Sequence, residues 1–243
     1  MSPRRFLVPP QALAQEMVEL PLKEAAHARR VLRLKEGDAV ILMDGQGRSA
    51  PARIVQVNKK TVLCRMEQVR SAEPLFPRLV ICPGLLKAPA MDLLAVKLTE
   101  LAVDEVRPVI CRRSVPQLKD APARLARWER LGGQALKQSG ASRQPLFHPP
   151  MPLVDFLAEA PAAALRLMIY EKEPGLTLAQ ALANAKNPPL VWALIGPEGG
   201  FSGQEAQAAR LAGFNLCGLP GPILRAETAC LAVAAVIRFG GRT

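Results

Sequence analysis

The sequence predicts an α/β protein in two parts: a small basic β-barrel or curled sheet, then an open, mostly parallel sheet with interleaved helices. Three observations carry this. Short strand-like segments divided by turn residues fill the first 70 residues, strand-like and helix-like segments alternate after residue 77, and a proline-containing stretch, Ser71 to Pro77, separates the two patterns. The expected domains are therefore residues 1–71 and 72–243.

In the first part, Lys23 to Leu34 reads as a small helix. Asp38 to Met43, Ala52 to Val57 and Thr61 to Val69 read as strands, with turns at Asp44-Gly45-Gln46-Gly47 and Asn58-Lys59-Lys60. In the second part, the strand candidates are Arg78–Cys82, Arg107–Cys111, Arg166–Tyr170, Leu190–Ile195 and Phe214–Leu219. The helix candidates are Pro89–Val103, Pro122–Gln138, Ser202–Leu211 and Ala226–Phe239. Pro89 suits a first helical position. Ser202 and Glu205 have capping-box spacing, and Gly213 stands where that helix should end. The segment after Thr228 is apolar almost all round, which predicts a buried helix.

Composition narrows the function. Hydrophobic residues at 49% and charged residues at 22% exclude disorder and collagen-like repeats. The net charge of +11 favours a polyanionic partner, nucleic acid above all. Residues 1–70 hold 13 Lys and Arg against 7 Asp and Glu, a net +6, so the excess is densest there. Arg4, Arg5 and Arg33 are candidates to grip nucleic-acid phosphates. No apolar run is long enough for a membrane span, and Pro9, Pro10 and Gln11 interrupt the faintly leader-like start. Five widely spaced cysteines without a C-x-x-C pair read as core residues of a cytoplasmic protein. With only His27 and His148, no metal site is expected.

Three loops compete for the chemistry. Gly45 to Ala50 matches a dinucleotide-binding pattern, but Pro51 and a strand follow where a helix N-terminus is needed, so it reads as a hairpin turn. Leu194 to Ser202 runs from an apolar strand through Gly196, Gly199 and Gly200 into a capped helix, at a strand end where open sheets bind ligands. Leu219 to Thr228 follows another strand and sets Arg225, Glu227 and Thr228 between apolar stretches. Glu227 has an ordinary reading as a helix-start residue. Arg225 does not, because a cation opposes the dipole there, so something anionic should compensate it.

At these two loops the sequence becomes specific. "LIGPEGGFSGQE" with "LPGPILRAETA" resembles the RsmE family of ribosomal RNA methyltransferases, of the SPOUT superfamily. His27 with Val31-Leu32-Arg33 is similar to the family's PUA-like RNA-binding domain, Lys87 to Val109 to its helix-then-strand segment, and Ala135 to Pro145 to its Gln-containing segment. The resemblance implies a C-terminal trefoil-knotted open sheet with helices on both faces, behind an N-terminal PUA-like barrel. It implies S-adenosylmethionine held by Ile195, Gly196 and Gly199 in the first loop and Leu219, Gly221 and Leu224 in the second. RNA contact extends to Lys87 and Arg143. The implied reaction is methylation of N3 of a specific uridine in small-subunit (16S) ribosomal RNA, within the assembled subunit, by a cytoplasmic homodimer.

Arg225 is the expected stabiliser of the uracil anion, and Glu198 and Glu227 are the candidate bases. The chain departs from the family pattern where relatives read Leu-Gly-x-Arg-Ile-Leu-Arg: here the glycine is displaced to Gly221 and Pro222 replaces the first arginine. Lys137 and Ala141 replace a usual Glu and Arg. The rival readings are an inactive RNA-binding assembly factor and a SPOUT enzyme acting on another RNA or ring atom.

Overall fold

A computed structural model describes residues 3–115, 120–172 and 175–240. The chain packs as two compact units: residues 1–74 with 133–144, and residues 75–132 with 145–243. The sequence places a single boundary at residue 71; the first unit also takes in a later segment.

The first unit is one six-stranded sheet around one core. Its strands are β1 (Arg4–Leu7), β2 (Met17–Glu19), β3 (Ala39–Met43), β4 (Arg48–Val57), β5 (Val62–Met66) and β6 (Arg70–Ser71). They run in the order β1-β3-β4-β5-β2, with β6 beside β4, and only β1 and β3 are parallel. Alternation buries Leu42, Ala52, Ile54, Val62 and Cys64 with Phe6 and Val18. The expected helix is shorter and changes pitch: α1 (Leu22–Ala26) continues as a single π-turn over His27–Val31. The Gly45–Gly47 segment is indeed a hairpin turn. Asp44 Oδ1 accepts from the Gln46 and Arg48 amides at 2.7 and 3.0 Å.

In the second unit, β7 (Arg78–Pro83) leads to α2 (Ala88–Glu100), β8 (Glu105–Val106) and β9 (Val109–Ile110). Then α3 (Ala121–Ser139), whose residues 133–139 are counted with the first unit, precedes β10 (Leu146–Phe147), β11 (Met151–Pro152) and α4 (Leu153–Glu159). The chain ends with β12 (Leu165–Ile169), α5 (Leu178–Asn184), β13 (Leu190–Ile195), α6 (Gly203–Leu211), β14 (Asn215–Cys217) and α7 (Ala226–Phe239). The sheet order is β10-β8-β7-β13-β12-β14, and every pair is parallel. One face packs α2, α5 and α7 on Leu79, Ile81, Ala193 and Ile195. The other packs α4 and α6 on Val80, Cys82, Trp192 and Leu194. Cover on both faces explains why β13 is a continuous apolar run.

Three differences from expectation stand out. The strand expected over Arg107–Cys111 is reduced to β9, and β8 ends before it, because Pro108 between them lacks the N–H that a ladder needs. The helices α4 and α5 are too short to show periodicity, although Thr177 and Gln180 form a capping box on α5. The last helix is not buried all round: Val236 and Phe239 remain 41% and 59% exposed. Near its end Arg238 is only 1% exposed. That arginine donates to the Pro77 and Ala102 carbonyls and pairs with Asp104 at 2.9 Å, fastening α7 across the sheet.

Candidate active site

Both glycine-bearing loops leave the carboxyl ends of parallel strands, β13 and β14, that flank β12 in the sheet. The first leaves β13 at Ile195 and ends at Ser202, whose hydroxyl accepts from the Glu205 amide while Glu205 caps back onto the Ser202 amide. Gly200, at φ +65°, adopts a backbone that side chains resist, and a Cβ there would lie 3.0 Å from the Glu171 carboxylate. The second loop leaves β14, where Gly218 is pinned by exchange with Leu176 and Leu178. From Leu219 to Leu224 the backbone forms no further backbone hydrogen bonds among the described residues. Gly221 sits at φ +118° between two prolines that themselves lack an N–H.

Between these loops and α2 lies a cavity of about 1120 Å³. Ile195, Gly196, Glu198, Gly199, Leu219, Gly221, Leu224, Arg225 and Glu227 all line it, as does Lys87 at the start of α2. The structure thus gathers every catalytic and cofactor candidate at one site, together with one of the RNA candidates. Arg225 is the residue before α7, exposed, with no side-chain partner among the described residues. The compensating anion expected for it is therefore not supplied by the described protein. Lys87 begins α2 in the same situation.

The remaining RNA candidates lie in the first unit. Arg4 and Arg33 are exposed. Arg5 is half-buried, with its guanidinium against Gly140. Arg143 has partners within the protein. Its guanidinium packs on Gly47 and donates to the carbonyls of Gln46 and Ala72, bracing the β3–β4 turn. Gly199 needs a refinement: its Cα faces Arg113, whose Cβ would lie 2.9 Å from an added Cβ. A larger residue at Gly199 would therefore disturb the loop's support, not merely fill the cavity.

The RNA methyltransferase domain family matches residues 73–238, and the RNA methyltransferase PUA domain family matches residues 21–67. The chain belongs to the RNA methyltransferase family. The solved ribosomal RNA small subunit methyltransferase E from Neisseria gonorrhoeae, bound to S-adenosyl methionine, is 28% identical, with 97% of each chain covered and a TM-score of 0.86. A probable rRNA-methyltransferase from Porphyromonas gingivalis is 31% identical, covers 98% of this chain and 100% of its own, and also has a TM-score of 0.86. The Bacillus subtilis ribosomal RNA small subunit methyltransferase E is 27% identical over 89% of this chain and 88% of its own. The fold class is accordingly SPOUT-type, with a PUA domain before it, as the motifs implied.

Several residues of this methyltransferase's site escaped sequence reasoning. Glu171 and Leu176 line the cavity from the segment after β12, and Thr177 adds the α5 cap. Only Thr177, with its T-x-x-Q spacing, left a signal that could have been read. Beyond the cavity, Glu105 is buried among His148 Nε2 at 2.8 Å, Arg107 Nε at 3.1 Å and the Arg78 guanidinium. The hydrogen bond with His148, and then those arginines, hold its carboxyl down at about 2 against the cost of burial. Arg107 also stacks 5.0 Å from the Trp192 ring centroid. Burial pushes the Cys111 thiol up to about 12, consistent with a core residue and not a nucleophile.

Proposed function

We propose that the protein methylates N3 of a specific uridine in small-subunit (16S) ribosomal RNA, using S-adenosylmethionine. The observation that carries this reading is a single cavity holding both glycine-bearing loops and an uncompensated Arg225. The names of the related methyltransferases support the same substrate class and cofactor.

The residues present fit the cofactor. The unpaired Leu219 and Gly221 amides can meet adenine and ribose acceptors, Ile195 and Leu224 give apolar walls, and Glu171, Glu198 and Glu227 suit a cation. When bound, the cofactor supplies an electrophilic methyl group on sulfonium. The protein's task is to bring N3 into line and to favour loss of its proton. Arg225 donates to a uracil carbonyl as negative charge develops there. Glu198 or Glu227 accepts the N3 proton. Arg4, Arg5 and Arg33 hold RNA phosphates, and Lys87 holds one beside the cavity. The uridine is splayed out of its stack to enter.

The working form is a cytoplasmic homodimer acting on the assembled small subunit. Exposed Val236 and Phe239 on α7, with Ile223 at 89% exposure in the second loop, support a covered apolar face. Five buried, free cysteines suit a reducing compartment. The test is methyl transfer from labelled S-adenosylmethionine to small subunits from cells lacking the gene, with mass spectrometry of the product. N3-methyluridine at one position is expected. RNA binding without cofactor binding would instead identify an assembly factor, and methylation at another ring atom would overturn the N3 assignment.

A further inference from the structure

Arg113 differs from several other cations of the second unit. Arg78, Lys97, Arg107, Arg127 and Arg238 each face a carboxylate. Arg113 is exposed and has one partner among the described residues, the Gly199 carbonyl, reached by Nη1 at 2.9 Å. A guanidinium has five N–H donors in a fixed fork, so most of its donors remain unspent.

The turn that carries Arg113 is tied firmly to the first loop. The Arg112 amide donates to Glu205 Oε1 at 2.7 Å, while the other oxygen of that carboxylate caps Ser202. Arg112 also reaches Gln204, and Ser114 closes the turn on the Cys111 amide. The Arg113 side chain packs so closely on Gly199 that no Cβ fits between them. Gly199 lines the cavity. A ligand that fixes the Arg113 guanidinium therefore fixes the cavity wall.

We propose that Arg113 is a positioning residue with two sides: it takes a backbone phosphate of the RNA substrate while holding the Gly199 carbonyl, and so couples cofactor affinity to bound RNA. The proposal rests on the function given above. Planarity is what permits both contacts at once. A lysine ammonium keeps the charge but not the fork. Coupling between two ligands is reciprocal and typically at least about fivefold.

The test measures equilibrium binding of S-adenosylhomocysteine, which cannot react, with and without a small-subunit ribosomal RNA fragment containing the target. In the wild type, RNA should tighten cofactor binding about fivefold or more. Arg113→Ala should lower the salt slope of RNA binding by about one and bring the coupling ratio near one. Arg113→Lys should keep the salt slope but lose the coupling. Thermal melts of both variants report folding, and the lysine variant carries the test if the alanine variant unfolds. A wild-type ratio of one overturns the coupling, as does a ratio unchanged in both variants. An unchanged slope in Arg113→Ala overturns the phosphate contact. Should the wild type bind neither ligand, the proposed function fails instead, so the two failures are distinguishable.

Discussion

Arg225 has no side-chain partner among the described residues and stands before a helix N-terminus that would prefer an anion. A structural role would have given it a partner within the protein, as Arg127 has in Asp92 and Arg143 in two carbonyls. Arg225→Lys keeps the charge without the fork, and should lower the single-turnover rate on the order of 10²-fold if one preorganised donor is lost. Cofactor affinity should change little. The remaining rate should depend more on high pH, because the uracil anion is less favoured. A defect wholly in RNA affinity would make Arg225 a binding residue only. This residue was legible in the sequence because a cation between apolar stretches at a helix start has no ordinary use. The bracing contacts of Arg143 were not legible, for the opposite reason. An arginine after a helix looks the same whether its donors meet phosphate or, as here, the carbonyls of Gln46 and Ala72. Glu171 was invisible because nothing in Tyr170-Glu171-Lys172 shows that the chain turns it toward Gly200.

At the scale of elements, legibility followed length and burial. The bounds of β13 and α7 were read as they stand, since one is apolar on both faces and the other is long and strongly apolar. The order in which β12 and β14 lie beside β13 was not readable, because strand neighbours are long-range contacts. Nor was the burial of Arg238 or Glu105, which depends on partners far along the chain. Arg238→Met should destabilise the protein by about 3 kcal/mol, since Asp104 and two carbonyls lose a charged donor. A urea midpoint lowered at unchanged slope checks this. The effect of Glu105→Gln should depend on pH. The Glu105 carboxyl is held at about 2 in the fold, against about 4.3 when unfolded. Its contribution is therefore complete above the unfolded value and is lost as pH falls toward the folded one. The stability gap between wild type and Glu105→Gln should be on the order of 2 kcal/mol at neutral pH, and should narrow steadily below about pH 4. A gap constant from neutral to acid conditions would remove the ionised carboxylate from the account.

For the molecule as a whole, the features that matter are its apolar exposure and its charge. Phe239 and Val236 sit one turn apart on α7, so Phe239→Asp should convert a dimer to a monomer in sedimentation velocity while leaving the fold intact. A wild-type monomer at micromolar concentration would remove the homodimer from the reading. The charge was the most legible property, because it needs no contacts to be known: the net +11 already pointed to a polyanion. What composition cannot do is separate the cations that bind RNA from those that brace the fold. In the first unit Arg48 faces Asp44, Lys137 faces Glu24 and Arg143 faces backbone, while Arg4 and Arg33 stand exposed. Arg33 also holds φ +54°, at the end of the helical turn that carries His27 and Arg30. Replacing Arg4 and Arg33 together with alanine should weaken RNA binding and flatten its salt dependence by up to about one unit for each phosphate that is no longer neutralised. Cofactor affinity without RNA should stay unchanged, since neither residue lines the cavity. Arg143→Ala is the internal control. It removes one arginine charge, as each half of the double variant does, yet should lower the thermal midpoint more than the salt slope, because the carbonyls of Gln46 and Ala72 lose their donor. If instead Arg143→Ala flattens the slope and the double variant does not, the brace and the RNA-binding residues have been assigned the wrong way round.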